Sequence, residues 1–463
     1  MKRTLVLAVA IGLAASIGLG LTRQQRAPLA DEFFYLAHAL AFHDHGRFAM
    51  VAADGSLRPA LAAPLYPALL AASMRADAGF AARARCWVGA PASASSCGVG
   101  FGAAGWVAIA AMGLCVGLAF LAGARLIGGA PAGVATALLF WLSGVPQEYA
   151  SSLLTEVVTV PLVMAGSLLL ALAPRGRRMW PAMAAAGVSI GLAALGRPSY
   201  FYGGLALAAV LPGLLWWLGR SQGGQRRPRA AGLAFLVGFL VAAGPWKAHE
   251  HSAAEDEARM QGYAVHTLVY RTAYNAMTPT QYAAAWIYWL PDFGDSLARR
   301  LFGRQTAESL SFGAPDGFYT RGARELFEEI RRATGVTVHL HSSGEPTAGR
   351  PSPMRYVLEH KVLGELPRYL ATTAVLLWRG AFPGKLVGLV GLVALVAMAW
   401  RSREREFRQA LTLLALPAAW FALLHAAISI NIPRYNIPLL LPYTVAIAAA
   451  GQALLSRRRR RSP

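Results

Sequence analysis

LLTEVVTVPLVMAGSLLLALA, residues Leu153–Ala173, decides the fold class of this chain. It holds one ionisable residue, Glu156, near its start, followed by seventeen uncharged residues. A helix crosses the hydrocarbon of a bilayer, about 30 Å, in roughly 20 residues. Nine further blocks have the same character: Leu5–Leu21, Val99–Ala122, Ala132–Val145, Ala182–Leu195, Phe201–Leu218, Ala230–Trp246, Leu386–Trp400, Ala410–Ile428 and Ile437–Leu455. The short ones, Ala132–Val145 and Ala182–Leu195, suit tilted, kinked or protein-buried spans. Composition agrees. Of 463 residues, 56% are hydrophobic and 14% charged, whereas a soluble domain carries about 25% charged residues. The expected fold is an all-α polytopic membrane protein with about ten transmembrane helices. Interfacial helices are expected in its first external loop, with a small mixed external segment later in the chain.

A formal charge of +21 would suit a nucleic-acid partner if the basic residues formed one binding face. They do not. With the N-terminus cytoplasmic, the predicted inner segments hold Lys2, Arg3, Arg125, Arg175, Arg177, Arg178, Arg220, Arg226, Arg227, Arg229, Arg401, Arg403, Arg405, Arg408 and Arg457–Arg461, against Glu404 and Glu406 alone. The long predicted outer segment Ala248–Phe382 balances 14 Lys/Arg with 14 Asp/Glu. This asymmetry is the positive-inside pattern. It places both termini in the cytoplasm of a multi-pass inner (plasma) membrane protein, and reads the arginine tail as a lipid-surface anchor rather than a nucleic-acid site. Lys2-Arg3 with the apolar run behind it resembles a signal peptide, but the run exceeds the usual apolar core of about 7–15 residues and reads as an uncleaved first helix.

Three regions follow: 1–247, a transmembrane module with a first external loop at 22–98; 248–382, a long extracytoplasmic segment; and 383–463, the last helices and the Arg-rich tail. In the first loop, Glu32–Phe42 has helical apolar spacing, and Pro59–Ser73 is an apolar stretch broken by prolines, with Tyr66 expected at headgroup level. Cys86 and Cys97 both fall in this loop, where an oxidising compartment permits a disulfide; two unrelated thiols are the alternative. In the long segment, Gln261–Trp289 is rich in aromatics, Arg321–Arg332 reads as an amphipathic helix, Glu345–Pro353 as a loop, and Arg355–Trp378 as helix.

Chemistry concentrates at the ends of the spans. Asp31 and Glu32 follow the first helix; taken alone, they are ordinary helix-start acids. Around them stand Tyr35, Ala39-Leu40, Gly46-Arg47-Phe48 and Ala63-Pro64-Leu65-Tyr66-Pro67, and further on Leu154-Thr155-Glu156, Gly196-Arg197-Pro198, Gly244-Pro245-Trp246-Lys247 and Pro433-Arg434-Tyr435 with Pro438. In this order the set resembles the GT-C superfamily of membrane glycosyltransferases, in the branch of protein O-mannosyltransferases and aminoarabinose transferases. The resemblance implies transfer of a sugar from a polyprenyl-phosphate carrier on the outer membrane face. The family's loop acid, a base, maps onto Asp31, with Glu32 as neighbour or alternative. Arg197, Lys247 and Arg434, with Tyr435 beside the last, are expected to meet the departing phosphate, since guanidinium groups suit bidentate contact with it; snorkelling to the interface is the plain alternative. Glu156 is a second acid at an outer helix end, where an ionisable group is costly, unless solvent reaches it.

Family members differ in metal dependence, so a divalent metal stays open as a cofactor. His43-Asp44-His45 and His339-Leu340-His341 offer no complete ligand set, and no metal site is assigned. The resemblance is poor across Ala248–Phe382, so the acceptor is unidentified; the expected partners are a polyprenyl-phosphate sugar and membrane lipid. Two other readings remain, a lipid-linked sugar transporter or flippase and a non-catalytic relative in envelope assembly. The first would put polar groups in mid-membrane, whereas the acids here cluster at helix ends.

Overall fold

Each of the ten apolar blocks falls on one helix in the computed structural model of the chain. It describes every residue except 1, 53, 61, 174–178, 220–227, 252–253, 340–341, 344–348, 403 and 460–463. Arg175, Arg177, Arg178, Arg220, Arg226, Arg227, Arg403, Arg460, Arg461, His341 and Pro346 therefore lie outside the described residues. The chain is an all-α multi-pass membrane protein. In order it forms α1 (Lys2–Thr22), α2 (Asp31–His45), the hairpin β1 (Ala49–Val51) and β2 (Leu57–Pro59), α3 (Leu65–Ala76), α4 (Ala78–Gly89), α5 (Gly102–Gly123), α6 (Gly129–Leu142), α7 (Val145–Tyr149), α8 (Glu156–Leu172), α9 (Met179–Ala194), α10 (Ser199–Gly219) and α11 (Pro228–His251). Next come α12 (Ala254–Thr272), α13 (Pro279–Tyr288), α14 (Gly294–Phe302), α15 (Arg304–Ser309), α16 (Ala323–Thr334), the hairpin β3 (Val338–His339) and β4 (Ser342–Ser343), α17 (Pro353–Tyr356), α18 (Leu366–Gly380), α19 (Leu386–Arg401), α20 (Arg405–Ile428) and α21 (Leu440–Arg459).

Six helical runs among the described residues are long and apolar enough to cross a membrane. One of them, the 41-residue run Gly102–Leu142, turns at Gly128 (φ 115°) and Gly129 (φ 81°), a backbone that only glycine adopts without strain. It therefore supplies two spans, α5 and α6. The shorter apolar helices α8, α9 and α19 complete the ten.

The chain packs as two compact units. The first comprises Met1–Lys247, Val390–Trp420 and Ile437–Pro463. Its N-terminal helix is held by backbone contact: a Cβ at Gly12 would stand 3.0 Å from the Gly113 carbonyl oxygen, and one at Gly117 would stand 2.8 Å from that of Ala8. Small residues at four-residue intervals let two membrane helices approach this closely, and the Ser16 hydroxyl adds a hydrogen bond to the Ile109 carbonyl at 3.5 Å. The outward face of α1 (Val6, Val9, Leu13, Ile17) is exposed and apolar, as a lipid-facing side must be.

The first loop folds tightly on α5. A cluster of Leu36, Leu40, Tyr66, Leu70, Phe80, Trp87 and Phe101 forms its core. Cys86 and Cys97 are joined as a disulfide, Cα–Cα 5.7 Å, and the Trp87 indole N–H, buried between them, donates to the Ala94 and Gly98 carbonyls. The alternating β1–β2 hairpin is a feature that the proline-broken apolar pattern does not announce. Tyr66 is buried, at 2% exposure.

The second unit comprises Ala248–Leu389 and Phe421–Asn436. The aromatics of Gln261–Trp289 are divided: Tyr274 is fully buried, packed with Met277, Ala284 and Leu310, whereas Tyr263 and Trp286 are exposed. α16 is amphipathic, burying Leu326 and Ile330 and exposing Glu328 and Arg331. The helical reading of Arg355–Trp378 is interrupted. A widened turn at Val357–Leu363 and Gly364–Glu365 separate α17 from α18, whose second residue is Pro367. Arg271 lies wholly inside this unit, donating to Asn275 Oδ1, the Tyr369 carbonyl and Thr373 Oγ1 at 2.6–2.7 Å. Burial pushes its guanidinium down to about 10.

Candidate active site in the first loop

α2 begins under strain. Ala30, the residue before it, has φ 43° and ψ −116°, a conformation that costs a non-glycine residue of order 1–3 kcal/mol and persists only where its surroundings impose it. The imposing group is Glu32. It is 2% exposed, and four donors converge on its carboxylate: Arg26 Nη1 on Oε2 and Arg26 Nη2 on Oε1, both at 2.6 Å, the Leu29 N–H on Oε2 at 2.8 Å and the Leu153 N–H on Oε1 at 2.7 Å. The last of these ties the first loop to the chain entering α8. Glu32 is thus a saturated buried anchor, while Asp31 beside it is exposed on the first turn of the same helix.

Below Glu32 lies the second acid. Glu156 opens α8 and is 3% exposed, which removes the solvated reading of this residue. Its Oε1 accepts from Arg197 Nη2 at 3.4 Å and its Oε2 from Thr155 Oγ1 at 3.3 Å. Arg197 reaches it from the short link between α9 and α10. That link is pinned to the first loop, since the Leu65 N–H at the start of α3 donates to the Leu195 carbonyl at 2.8 Å. Tyr66, next in the chain, packs edge-on against Tyr35 with ring centroids 5.6 Å apart. Burial pushes the Tyr66 phenol well up, and the Glu32, Tyr35 and Glu156 charges push the same way. Burial thus keeps the phenol protonated, and it is not read as a base.

Lys247 lies on α11, next to Trp246. The turn after α2 lays Phe48 against Trp246, centroids 4.9 Å apart, and against His38 at 6.3 Å. His38 is seven residues, roughly 10 Å, beyond Asp31 along the helix. Lys247 Nζ lies 5.7 Å from the Phe201 ring and 5.5 Å from the Tyr202 ring. Pro245 and Lys247 are inside α11, which runs on to His251, so Gly244-Pro245-Trp246-Lys247 does not end that helix. A proline leaves the carbonyl four residues back without its bond, yet the helix passes through it.

In the second unit, Arg434 and Tyr435 belong to the tight turn Pro433–Leu439. The guanidinium carbon lies 5.4 Å from the Tyr435 ring, and that ring lies 5.3 Å from His425. Buried amides fix the turn: Asn431 Nδ2 donates to the Leu376 carbonyl, and Asn436 Nδ2 donates to the Gly380 carbonyl and to Asn431 Oδ1.

No family model and no curated protein match the chain. Two solved structures are similar to it at low identity. One is ArnT from Cupriavidus metallidurans bound to undecaprenyl phosphate, at 15% identity and TM-score 0.39, covering 97% of this chain and 77% of that one. Another is the archaeal oligosaccharyltransferase AglB from Archaeoglobus fulgidus, in complex with an inhibitory peptide and a dolichol-phosphate, at 12% identity and TM-score 0.44. There 97% of this chain matches half of that one's length.

Among the described residues no three His, Cys, Asp or Glu side chains gather as a metal site. Asp44 is engaged by Arg85 in a two-pronged pair at 2.6 and 3.0 Å and by His43 Nδ1 at 2.6 Å. The residue that sequence reading passed over is Arg26, six residues before the Glu32 it holds; Thr155, read only as part of Leu154-Thr155-Glu156, donates to the acid beside it.

Proposed function

We propose that the chain transfers a sugar from a polyprenyl-phosphate carrier to an acceptor, on the extracytoplasmic face of the plasma membrane with both termini in the cytoplasm. In this reading an acceptor hydroxyl attacks the anomeric carbon, the bond from that carbon to the phosphate oxygen breaks, and the carrier phosphate leaves. The hydroxyl proton passes to the Asp31 carboxylate, as general-base catalysis requires. Arg197 and Lys247 are the proposed partners of the donor phosphate, and Glu156 positions Arg197; Arg434 with Tyr435 is proposed separately as a substrate-binding pair of the second unit. The observation that carries the reading is the division of labour between adjacent acids. Glu32 accepts four donors and holds the start of α2, which leaves its exposed neighbour Asp31 as the acid we assign as the base. The Lys/Arg asymmetry supports the orientation.

The test supplies purified protein with polyprenyl-phosphate-linked radiolabelled sugars and a membrane extract. Release of carrier phosphate, lost in Asp31→Asn, together with loss of one envelope sugar in cells carrying that variant, is the expected result. No release from any donor, with an unchanged glycan profile in Asp31→Asn cells, overturns it. Movement of intact sugar lipid across vesicles would replace it with transport.

A further inference from the structure

A polar cleft of about 220 Å³ opens where α1 enters the first loop, lined by Gly20, Arg23, Gln25, Arg83 and Trp106. Its lining brings together two guanidinium groups and, among the described residues, no carboxylate. Arg26 is neutralised by Glu32. Arg83 donates through Nε to the Gly100 carbonyl, and its charge reaches Asp77, whose oxygens accept from the Phe80 and Ala103 N–H groups. Arg23 has no such use. Its guanidinium lies over bare Gly105, where a Cβ would collide with it. Its Nε and Nη2 are shut away from solvent without a hydrogen-bond acceptor, and burial pushes its pKa down. Buried donors without acceptors are uncommon in folded proteins, and each implies a partner.

One turn further along α1 an apolar groove of about 250 Å³ begins, between α1 and α5. Its walls include Leu5, Leu13, Leu114 and Leu121, and its floor is the Gly12–Gly117 contact. The cleft and the groove adjoin, since Gly20 and Ile109 line one and Ser16 and Ala110 the other. Trp106, 62% exposed, stands at the cleft as an interfacial tryptophan does at headgroup depth. A cationic head position followed by a hydrocarbon-lined channel on a lipid-facing surface matches a molecule with an anionic phosphate head and an acyl tail.

We propose that this α1–α5 crevice holds one anionic glycerophospholipid, its phosphate on Arg23 and Arg83 and one acyl chain in the groove. The site lies within the first unit and does not depend on the transferase reading. Its role is to brace α1, whose closest approach to α5 is made through small residues.

The full-length protein in neutral detergent is titrated with dioleoylphosphatidylglycerol or dioleoylphosphatidylcholine, and bound lipid is counted by native mass spectrometry. One phosphatidylglycerol should bind about tenfold more tightly than phosphatidylcholine, and the R23Q/R83Q protein should lose that preference, as loss of charge-assisted bonds requires. Leu13→Trp, which fills the groove without changing charge, should weaken the same adduct, and substituting Arg457–Arg459 by Gln should leave it intact. Millimolar inorganic phosphate should fail to displace it. Equal binding of the two lipids, a preference that survives R23Q/R83Q, or displacement by phosphate alone overturns the proposal. So does stronger binding of a sugar-free polyprenyl phosphate at the same arginines, which would make the occupant the carrier. Thermal melting of each variant checks that it is folded.

Discussion

The Arg26 guanidinium forks onto the Glu32 carboxylate with both bonds at 2.6 Å, and the same carboxylate takes the Leu153 N–H, 121 positions away in sequence. A single side chain therefore sets the distance between the first loop and the mouth of α8. Asp31, its neighbour, is exposed on the first turn of the same helix.

Separable phenotypes follow for the two acids. Arg26→Ala leaves a buried carboxylate short of its cation and should cost about 3 kcal/mol, within the range for breaking a buried pair, read as a lowered melting temperature in detergent. Asp31→Asn is an exposed change and should alter stability by less than about 0.5 kcal/mol. Transfer activity should nevertheless fall about 100-fold or more, as for loss of a general base. Equal destabilisation by both would refute the division.

Glu156 and Arg197 should prove coupled. Arg197→Ala strands a carboxylate that is 3% exposed and should destabilise by about 3 kcal/mol, whereas Glu156→Gln with Arg197→Gln should recover part of the loss. If Arg197 also touches the donor phosphate, Arg197→Lys raises KM for the carrier lipid while keeping the fold. A double-mutant cycle on melting temperature, run beside carrier titrations, measures both.

Asp44 gives a pH signature. The hydrogen bond from Arg85 holds its carboxyl below the ordinary 3.8, at about 2, with burial opposing and His43 assisting. Because the folded value is the lower one, the pair's contribution is complete above about pH 4 and fades as pH falls through 2. Hydrogen exchange in α4 should therefore quicken in that acid window, and Asp44→Asn should abolish the change. Exchange that accelerates instead on the alkaline side would contradict the pairing.

Reducing Cys86–Cys97 should cost about 2–3 kcal/mol, as expected for a short closed loop, and loosen the segment around Trp87. Melting temperature with and without reductant, compared with Cys97→Ser, tests this. Glu32 and Leu153 lie outside the disulfide's loop, so activity at low temperature should persist.

The spans were legible because a bilayer imposes length and apolarity locally, one helix at a time. α2 was legible from its own helical period, in the spacing of Phe34, Ala37, Leu40 and Ala41. The acids could be named but not ranked. What separates Glu32 from Asp31 is Arg26 and a backbone N–H at 153, and neither leaves a trace within a helical period. Glu156 and Arg197 are 41 residues apart, joined only once α8 and α9 lie side by side. Gly244-Pro245-Trp246-Lys247, placed at the end of a span by its motif, lies within α11, which continues to His251.

The bond from Leu153 to Glu32 also has a bearing on biosynthesis. Glu32 leaves the ribosome long before Leu153, with α5 and α6 still to be inserted between them. Until residue 153 has been made and threaded, the anchor lacks one of its four donors, and Asp31 rides on an unsecured segment. The nascent chain thus carries its proposed base early but acquires a competent geometry late, so a product stalled or cleaved before α8 should be inert however well its first helices have inserted.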